Sequence, residues 1–368
     1  LRLTIMANIT YYLGAGASFH SVPIQNALGD KMFDYFELKY FPRSFEKGEY
    51  RKPYDFDKIK IETLPPERVV FRNISFFGQK ALEYGSIDTY AKKLWLNQPH
   101  NNIELDLLKS SVNHFFTIWQ KVDRELWKKG SALPSGLYTD IDSRYITLLA
   151  SILEKNSNGP YLPSNINFIT WNYDLQIENA FSKFLLSKNW SEIEKRLHFL
   201  PTPDSEGPRL QICHLNGLSG YYLSSNKHRR ILGSDDSMSF DALINTLTEL
   251  NQSDSRGEKD LSGVINYAWE EDNPFVTRVR NDAIHILEQT DVLVIIGYSF
   301  PPFNRASDRM LFKNLGEGCR IVNQCPGAKK EIFKSVLGER FNPDNVELVE
   351  EVDKFHLPDD FFSGSSEQ

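Results

Sequence analysis

Side chains that could position a water molecule or move a proton follow two predicted strands of the chain. Asn172 and Asp174 come shortly after the strand pattern at 166–170, and His214 follows the strand pattern at 210–213. Histidine is suited to proton transfer near neutral pH, and a neutral amide can orient a water without carrying a charge. A lone histidine after a strand is more often structural. Whether Asn172, Asp174 and His214 form a functional site therefore depends on which other residues lie near them in the fold.

A glycine-rich turn near the start of the sequence could hold a phosphate group. The β-prone run at 9–13 leads into Gly14-Ala15-Gly16-Ala17-Ser18, and helical spacing follows. A strand, a tight glycine turn and a helix aim backbone N–H groups and the positive end of a helix dipole at an anion. Taken alone, the pattern is as typical of an ordinary turn between a strand and a helix.

Further strand ends carry small or polar residues of the same kind. Gly297-Tyr298-Ser299-Phe300 follows the run at 292–296, and Asn323 closes the run at 320–323. In open α/β sheets ligands bind outside the carboxyl ends of the strands, so these residues would converge on one edge. The convergence favours a functional site over a set of separate structural roles.

The elements that would position these residues alternate between strand and helix. Strand patterns occur at 9–13, 166–170, 210–213, 291–297, 320–323 and 346–349. Helical spacing separates them at 175–186, 240–250, 260–269, 276–289, 305–315 and 329–336. The run at 292–296 is apolar on both faces, as expected of a central parallel strand. The sequence predicts an α/β fold, a doubly wound Rossmann-like parallel sheet with right-handed crossovers.

A mostly helical block follows the first strand and helix. Helical spacing occurs at 25–40, at 84–96 with Ser86 as N-cap, at 103–127 and at 145–153, while 42–66 is irregular. We therefore predict a single domain over 1–368, with a Rossmann-like core from 8–24 and 160–350. A large helical insertion would occupy 25–155.

Composition narrows the class of protein. The net charge of −7 does not favour direct nucleic-acid binding. The three cysteines form no CxxC pattern, so neither a zinc ribbon nor a disulfide framework is expected. The first residues, LRLTIMANIT, show neither the long apolar region nor the small-residue cleavage site expected of a signal peptide, and the sequence contains no run of 18 apolar residues. We expect a cytoplasmic protein without a membrane span.

The ordered set GAGAS, TWNYD, CHLNG, GYSF and IVN resembles the sirtuin-like NAD-consuming fold. It is most similar to the sirtuin-like effector domains of bacterial antiphage defence. The segment YGSIDTYAKKL is also similar to one common in that branch, and the resemblance covers roughly residues 11–349. The ordered set is specific, although each member alone is not.

The resemblance implies a role for each strand end. Asn172 would hold the nicotinamide ribose and the attacking water, and Asp174 would face the nicotinamide carboxamide. His214 would act as the general base or would activate a ribose hydroxyl. The remaining residues would bind NAD, the diphosphate through Gly14, Ala15, Gly16 and Ser18, and the adenosine side through Gly297, Ser299 and Asn323. NAD is the implied substrate, and no metal is implied.

Two departures from the sirtuin pattern limit the chemistry. The paired CxxC motifs of deacetylating sirtuins are missing, which makes acyl-lysine deacetylation unfavoured. The Pro-Asp-Phe-Arg run that follows the sirtuin glycine turn is also missing, since Pro23 is followed here by Ile24-Gln25-Asn26.

The leading hypothesis is therefore an NAD+ glycohydrolase that releases nicotinamide and ADP-ribose. It would serve bacterial antiphage defence by depleting NAD, a form of abortive infection. Its activity would be gated by homo-oligomerisation or by a partner encoded nearby, such as a sensor or an ATPase subunit. Two alternatives remain: a non-catalytic sensor of NAD or ADP-ribose, and a residual ADP-ribosyl or deacyl transferase.

Overall fold

The structure, a computed structural model, describes residues 6–40, 60–97, 102–121, 141–186, 189–201, 209–223, 228–230, 240–255, 262–270 and 273–361. The strands are β1 (Ile9–Leu13), β2 (Glu154–Asn156), β3 (Gly159–Tyr161), β4 (Ile166–Thr170), β5 (Ile212–His214), β6 (Tyr221–Leu223), β7 (His228–Arg230), β8 (Ser262–Gly263), β9 (Val292–Ile296), β10 (Arg320–Gln324) and β11 (Val346–Val349). The helices are α1 (Gln25–Tyr40), α2 (Pro66–Tyr84), α3 (Ile87–Asn97), α4 (Ile103–Lys121), α5 (Ser143–Ile152), α6 (Gln176–Ser182), α7 (Trp190–Leu197), α8 (Phe240–Ser255), α9 (Pro274–Glu288), α10 (Arg305–Phe312) and α11 (Lys334–Leu337).

Six strands form one parallel sheet in the order β11-β10-β9-β1-β4-β5. The chain runs outward from β1 through β4 to β5, and then returns to the other side of β1 for β9, β10 and β11. The direction of winding thus switches between β1 and β9, which is where open α/β sheets place ligands. The predicted doubly wound, Rossmann-like parallel sheet with helical insertions is confirmed.

Register brings the strand ends to one edge of the sheet. Leu13, Thr170, His214, Ile296 and Gln324 lie in a single cross-strand row. Whatever follows these residues therefore lies along the carboxyl edge, at strand spacings of about 4.8 Å. Strands β1 and β9 are buried along their whole length, in agreement with the apolar pattern of the sequence.

The chain divides into two compact units. Unit 1 comprises Leu1–Phe19, Ile141–Gly217 and Asn266–Gln368, and it contains the six-stranded sheet. Unit 2 comprises His20–Asp140 and Leu218–Ile265. The single domain over 1–368, with a core from 8–24 and 160–350 and an insertion at 25–155, stays a prediction.

Unit 2 contains helices α1 to α4, helix α8 and a three-stranded antiparallel sheet in the order β7-β6-β8. The predicted N-cap of α3 is confirmed, because Ser86 Oγ accepts a hydrogen bond from Thr89 N at 3.1 Å. Helix α2 was not predicted. None of the helices in the described ranges is both long and apolar enough to cross a membrane.

Several predicted boundaries differ from the structure. The helix predicted at 260–269 is wrong, since Ser262 and Gly263 form strand β8 and pair with β6. The helix predicted at 240–250 is longer in the structure, because α8 continues to Ser255. The part of the predicted 103–127 helix beyond residue 121, and most of the irregular segment at 42–66, lie outside the described residues.

Candidate functional site

The glycine turn after β1 packs directly on the turn after β9. Gly14 N donates a hydrogen bond to Ile296 O, and Gly16 N donates one to Gly297 O, each at 3.0 Å. A Cβ on Gly14 would lie 2.6 Å from Gly297 O, and a Cβ on Gly16 would lie 2.8 Å from Gly297 Cα. The close contact between the turn after β1 and the turn after β9 therefore requires glycine at both position 14 and position 16. Because their N–H groups are already engaged, the phosphate role predicted for this turn does not follow from those two amides.

Gly297→Ala is expected to lower the free energy of unfolding by about 3 kcal/mol, because strain and overpacking add at this position. Its φ is +61°, and a Cβ would lie 2.4 Å from Ala17 N. Gly318→Ala is the matched control, since Gly318 also has a positive φ (+80°), but apart from its two chain neighbours no described residue has an atom within 4 Å of the added Cβ. Urea denaturation of both variants measures the difference. If Gly297→Ala and Gly318→Ala lose the same free energy of unfolding, the close contact of Gly297 with the glycine turn after β1 adds nothing to the cost of backbone strain.

Asn172 joins the end of β4 to the glycine turn. Its Nδ2 donates to Gly14 O at 3.0 Å and to Ser18 Oγ at 3.2 Å, and its side chain is buried. Because the Gly14 carbonyl oxygen can only accept a hydrogen bond, the side-chain atom of Asn172 that faces it must be the amide nitrogen. Asn172 Oδ1 has no hydrogen-bond partner among the described residues, which leaves this oxygen able to orient a water or a hydroxyl group.

Ser18 connects Asn172 to a buried carboxyl group. Its Oγ lies 3.1 Å from Tyr145 OH on α5, and it also hydrogen-bonds the side chain of Asp174. Asp174 Oδ1 accepts a hydrogen bond from Gln176 N at 3.1 Å, at the start of α6. Burial raises the pKa of Asp174 to about 6, although its hydrogen bonds and His214 oppose the shift. Asp174 can therefore change its charge just below neutral pH.

His214 is the last residue of β5, rather than the first residue after it as predicted. Its Nε2 lies 2.9 Å from Glu178 Oε1 on α6, and its Nδ1 lies 3.4 Å from Asn172 O. The two side chains are 1% and 0% exposed. Burial lowers the pKa of His214, but the Glu178 carboxylate, the Asn172 carbonyl and Asp174 raise it more, so the net direction is upward.

The structure brings most of the predicted site residues into one connected set. The members are linked by hydrogen bonds or backbone contact: Gly14, Gly16, Ser18, Asn172, Asp174, His214 and Gly297. Ala15 and Ser299 are exposed. Asn323 lies within β10, one row before the carboxyl edge, and is 1% exposed. These three residues lie outside the connected set.

A buried ion pair supports the carbonyl side of the glycine turn. Arg144 Nη2 lies 2.6 Å from Asp142 Oδ2, and the two side chains are 4% and 0% exposed. The same nitrogen donates to Ala17 O at 3.0 Å, while Nη1 donates to Val352 O at 3.1 Å. The guanidinium group therefore holds the end of the turn against the segment that follows β11.

Another buried carboxyl group, that of Asp308, lies close to residues next to the two glycine turns. Asp308 on α10 accepts hydrogen bonds from Tyr12 OH and Tyr298 OH, each at 2.9 Å. Trp171 Nε1 donates to Tyr12 OH at 2.7 Å, and Asn304 Nδ2 donates to Tyr298 OH at 3.2 Å. Burial raises the pKa of Asp308 to about 7. This network joins residues next to the ends of β1, β4 and β9.

Glu178, Tyr145, Arg144 and Asp308 were not identified from the sequence. Glu178 carries no clear local signal, because polar residues (Gln176, Asn179) stand beside it as well as the apolar Ile177. The others carry none either, because their contacts come from distant parts of the chain. No group of three or more His, Cys, Asp or Glu side chains in the described ranges could hold a metal ion.

Comparisons with known proteins add little to this picture. No protein-family model matches the sequence, and no curated protein is similar to it. A solved structure from work on the mechanism and regulation of Sir2 enzymes is similar with a TM-score of 0.30 and 10% sequence identity. The match covers 87% of this chain and 80% of that chain. A likeness of this strength carries no argument about activity.

Proposed function

We propose that the chain is an NAD+ glycohydrolase that releases nicotinamide and ADP-ribose. The observation that carries the proposal is the connection of Asn172, through Ser18, to the glycine turn, with His214 beside it. This arrangement places a neutral amide and an imidazole together at the carboxyl edge, next to the switch point of the sheet. The ordered motifs GAGAS, TWNYD, CHLNG, GYSF and IVN support NAD as the substrate.

The side chains suit the charge that this reaction develops. Cleavage of the nicotinamide–ribose bond creates positive, oxocarbenium-like charge on the ribose and needs a positioned water. Asn172 Oδ1 would orient that water, since Nδ2 is held by Gly14 O. His214 Nδ1 would take the proton, because Nε2 faces Glu178. The Asp174 and Glu178 carboxyl groups would favour positive charge nearby.

Buried acceptors fit a ligand that brings hydrogen-bond donors. Asn216 Oδ1, two residues after His214, is buried and has no partner among the described residues. The same is true of Asn323 Oδ1 in β10. Unpaired buried acceptors are costly, so a ligand donor is favoured at each. The ribose hydroxyls and the carboxamide N–H groups of NAD are donors of this kind.

We assign the activity to bacterial antiphage defence, where NAD depletion would stop the infected cell. The motif resemblance supports this role. Unrestrained hydrolysis would kill the host, so a trigger is required, either a partner encoded nearby, such as a sensor or ATPase subunit, or homo-oligomerisation. Asn172 and His214 are hydrogen-bonded to other protein groups, and the His214 ring is 1% exposed. A shift of the segment that carries Asn172 would open Nδ1 to substrate.

Nicotinamide release from NAD tests the proposal. The purified chain is incubated with NAD, with and without the proteins encoded beside it, and release is followed by chromatography. Asn172→Ala is expected to reduce release by about 10²-fold or more, because it removes the group that orients the water. Asn314→Ala is the control and should keep full activity, since among the described residues the side-chain amide of Asn314 hydrogen-bonds only Met310 O in α10.

Two outcomes would contradict the proposal. Absence of nicotinamide release under every activating condition would remove the hydrolase assignment. If the chain then binds NAD or ADP-ribose by calorimetry, the non-catalytic sensor is the correct alternative. Transfer of ADP-ribose or an acyl group to a protein, in place of hydrolysis, would instead identify the residual transferase.

A further inference from the structure

Glu178 and His214 form a buried pair between helix α6 and strand β5. We infer that Glu178 is a positioning residue, which holds the His214 ring so that Nδ1 is the nitrogen presented to substrate. The effect of Glu178 on catalysis rests on the proposed function. The effect of Glu178 on the orientation and protonation of the His214 ring does not, because it follows from the contacts between the two side chains.

The distances determine which ring nitrogen carries hydrogen. Glu178 Oε1 can only accept when ionised, and it lies 2.9 Å from His214 Nε2, so Nε2 carries the hydrogen. A neutral ring therefore has its lone pair on Nδ1. That atom faces Asn172 O at 3.4 Å, where two acceptors form no hydrogen bond. The ring is satisfied either as an imidazolium, which donates from Nδ1 to Asn172 O, or when a donor such as a substrate hydroxyl hydrogen-bonds Nδ1 in place of that carbonyl.

The charges around the ring favour the imidazolium that proton transfer would create. The titratable groups that face His214 are Glu178 on α6 and Asp174 in the loop before it, and Phe199 packs beside the ring as an apolar neighbour. Glu178 Oε2 is buried without a partner among the described residues. A buried carboxylate with one unpaired oxygen is costly unless a cation lies against it. Glu178 thus stabilises a proton on His214 Nδ1.

The roles inferred for Glu178 and His214 are the same as those of the carboxylate–histidine pair in hydrolytic enzymes. There, a buried carboxylate fixes the histidine tautomer and stabilises the imidazolium, while the other ring nitrogen exchanges protons with substrate. In the present chain the carboxylate comes from α6, only a few residues after Asn172 and Asp174. One short segment thereby supplies the water-orienting amide and the group that orients the base.

Glu178→Gln separates positioning from mere packing, because the amide keeps the shape but loses the charge. His214 is observed in the full-length chain by long-range ¹H–¹⁵N NMR of the ring, assigned with His214→Gln. We expect the titration of His214 to move to lower pH, and the Nε2–H tautomer to lose its preference. With NAD, kcat should fall about 10- to 100-fold, with a smaller change in KM, and the acid limb of the pH–rate profile should move to lower pH.

Controls and outcomes keep the inference separate from the hydrolase assignment. Glu192→Gln, which removes a half-exposed carboxylate paired with Arg196, should leave the His214 signals unchanged. Glu178→Asp keeps the charge and should partly restore the wild-type titration; it also serves if Glu178→Gln does not fold. An unchanged titration and tautomer in Glu178→Gln would overturn the inference. A shifted titration in a chain that never releases nicotinamide would support the positioning of His214 and reject the hydrolase.

Discussion

Arg144→Met is expected to lower the free energy of unfolding by about 3–5 kcal/mol, the usual cost of leaving one member of a buried ion pair alone. Asp142 is 0% exposed, and its two oxygens face Arg144 Nε at 2.9 Å and Nη2 at 2.6 Å. The substitution also removes the donors to the Ala17 and Val352 carbonyls. Urea denaturation followed by circular dichroism measures the loss.

The matched control for this variant is an arginine whose ion pairs reach solvent. Arg320 pairs with Glu347 and Asp360, and all three side chains are more than a third exposed. Arg320→Met should therefore cost less than about 1 kcal/mol. Similar losses in Arg144→Met and Arg320→Met would contradict the role assigned to the buried pair.

A double variant identifies the source of the loss. Arg144→Met with Asp142→Asn removes both charges, yet the amide oxygen introduced at position 142 would still accept from the residue 144 N–H at the start of α5, as the Asp142 carboxylate does at 3.1 Å. Most of the stability should return if the unpaired carboxylate causes the cost. If the double variant is no better than the single one, packing against Phe19 and Phe355 explains the loss instead.

The sheet could be predicted from the sequence because its central strands carry an unambiguous signal. Strand β9 is apolar on both faces and buried at every position, as expected of a central parallel strand, and its run of five residues is shorter than a typical buried helix. Helix α2 was not predicted, because its sequence does not show a clear apolar pattern. Its buried residues include Arg72, Asn73 and Ser75, whose polar side chains hide the apolar face. Ser75 Oγ donates to Phe33 O at 2.7 Å, a contact that no local pattern reveals.

The mistaken helix at 260–269 shows a different limit. Val264, Ile265 and Ala268 recur at helical spacing, which favoured a helix. All three are buried, as is Tyr267 between them. In a segment buried on every side, apolar residues occur at any spacing, so periodicity cannot separate a helix from an irregular chain.

Some residues of the candidate site could likewise be predicted from the sequence, and others could not. Residues that follow strands could be found from the sequence, because the sheet topology alone sends them to one edge. Their supporting partners could not, since Tyr145 and Glu178 reach Ser18 and His214 only through tertiary contacts of α5 and α6. Sequence motifs therefore identified where chemistry is expected, while the protonation of that site depends on residues that belong to no motif.

Asp308→Asn is expected to remove a large pH dependence of stability. Burial raises the pKa of Asp308 from its ordinary value to about 7, so the folded chain holds a proton that the unfolded chain gives up near pH 4. The unfolded state then binds fewer protons between about pH 4 and pH 7, and stability falls as pH rises through that window. This contribution corresponds to about 2–3 kcal/mol between pH 5 and pH 8.

Urea denaturation at pH 5 and pH 8 measures the effect as a difference of differences. The loss of stability between the two pH values should be smaller in Asp308→Asn than in wild type by about 2–3 kcal/mol. Asp174 and His214 titrate in both proteins, so their contributions cancel. Asp344→Asn, at an exposed position, should behave as wild type. An unchanged pH dependence in Asp308→Asn would mean that its carboxyl group keeps one charge across the range.

The sign of this dependence connects stability with the proposed chemistry. Tyr12 OH and Tyr298 OH donate hydrogen bonds to Asp308, and an ionised carboxyl group can accept both, so the network is complete above about pH 7. That network supports Trp171, next to Asn172, and Gly297, whose carbonyl holds Gly16 N. Activity should therefore rise with pH over the range in which stability falls, and Asp308→Asn should weaken both trends together.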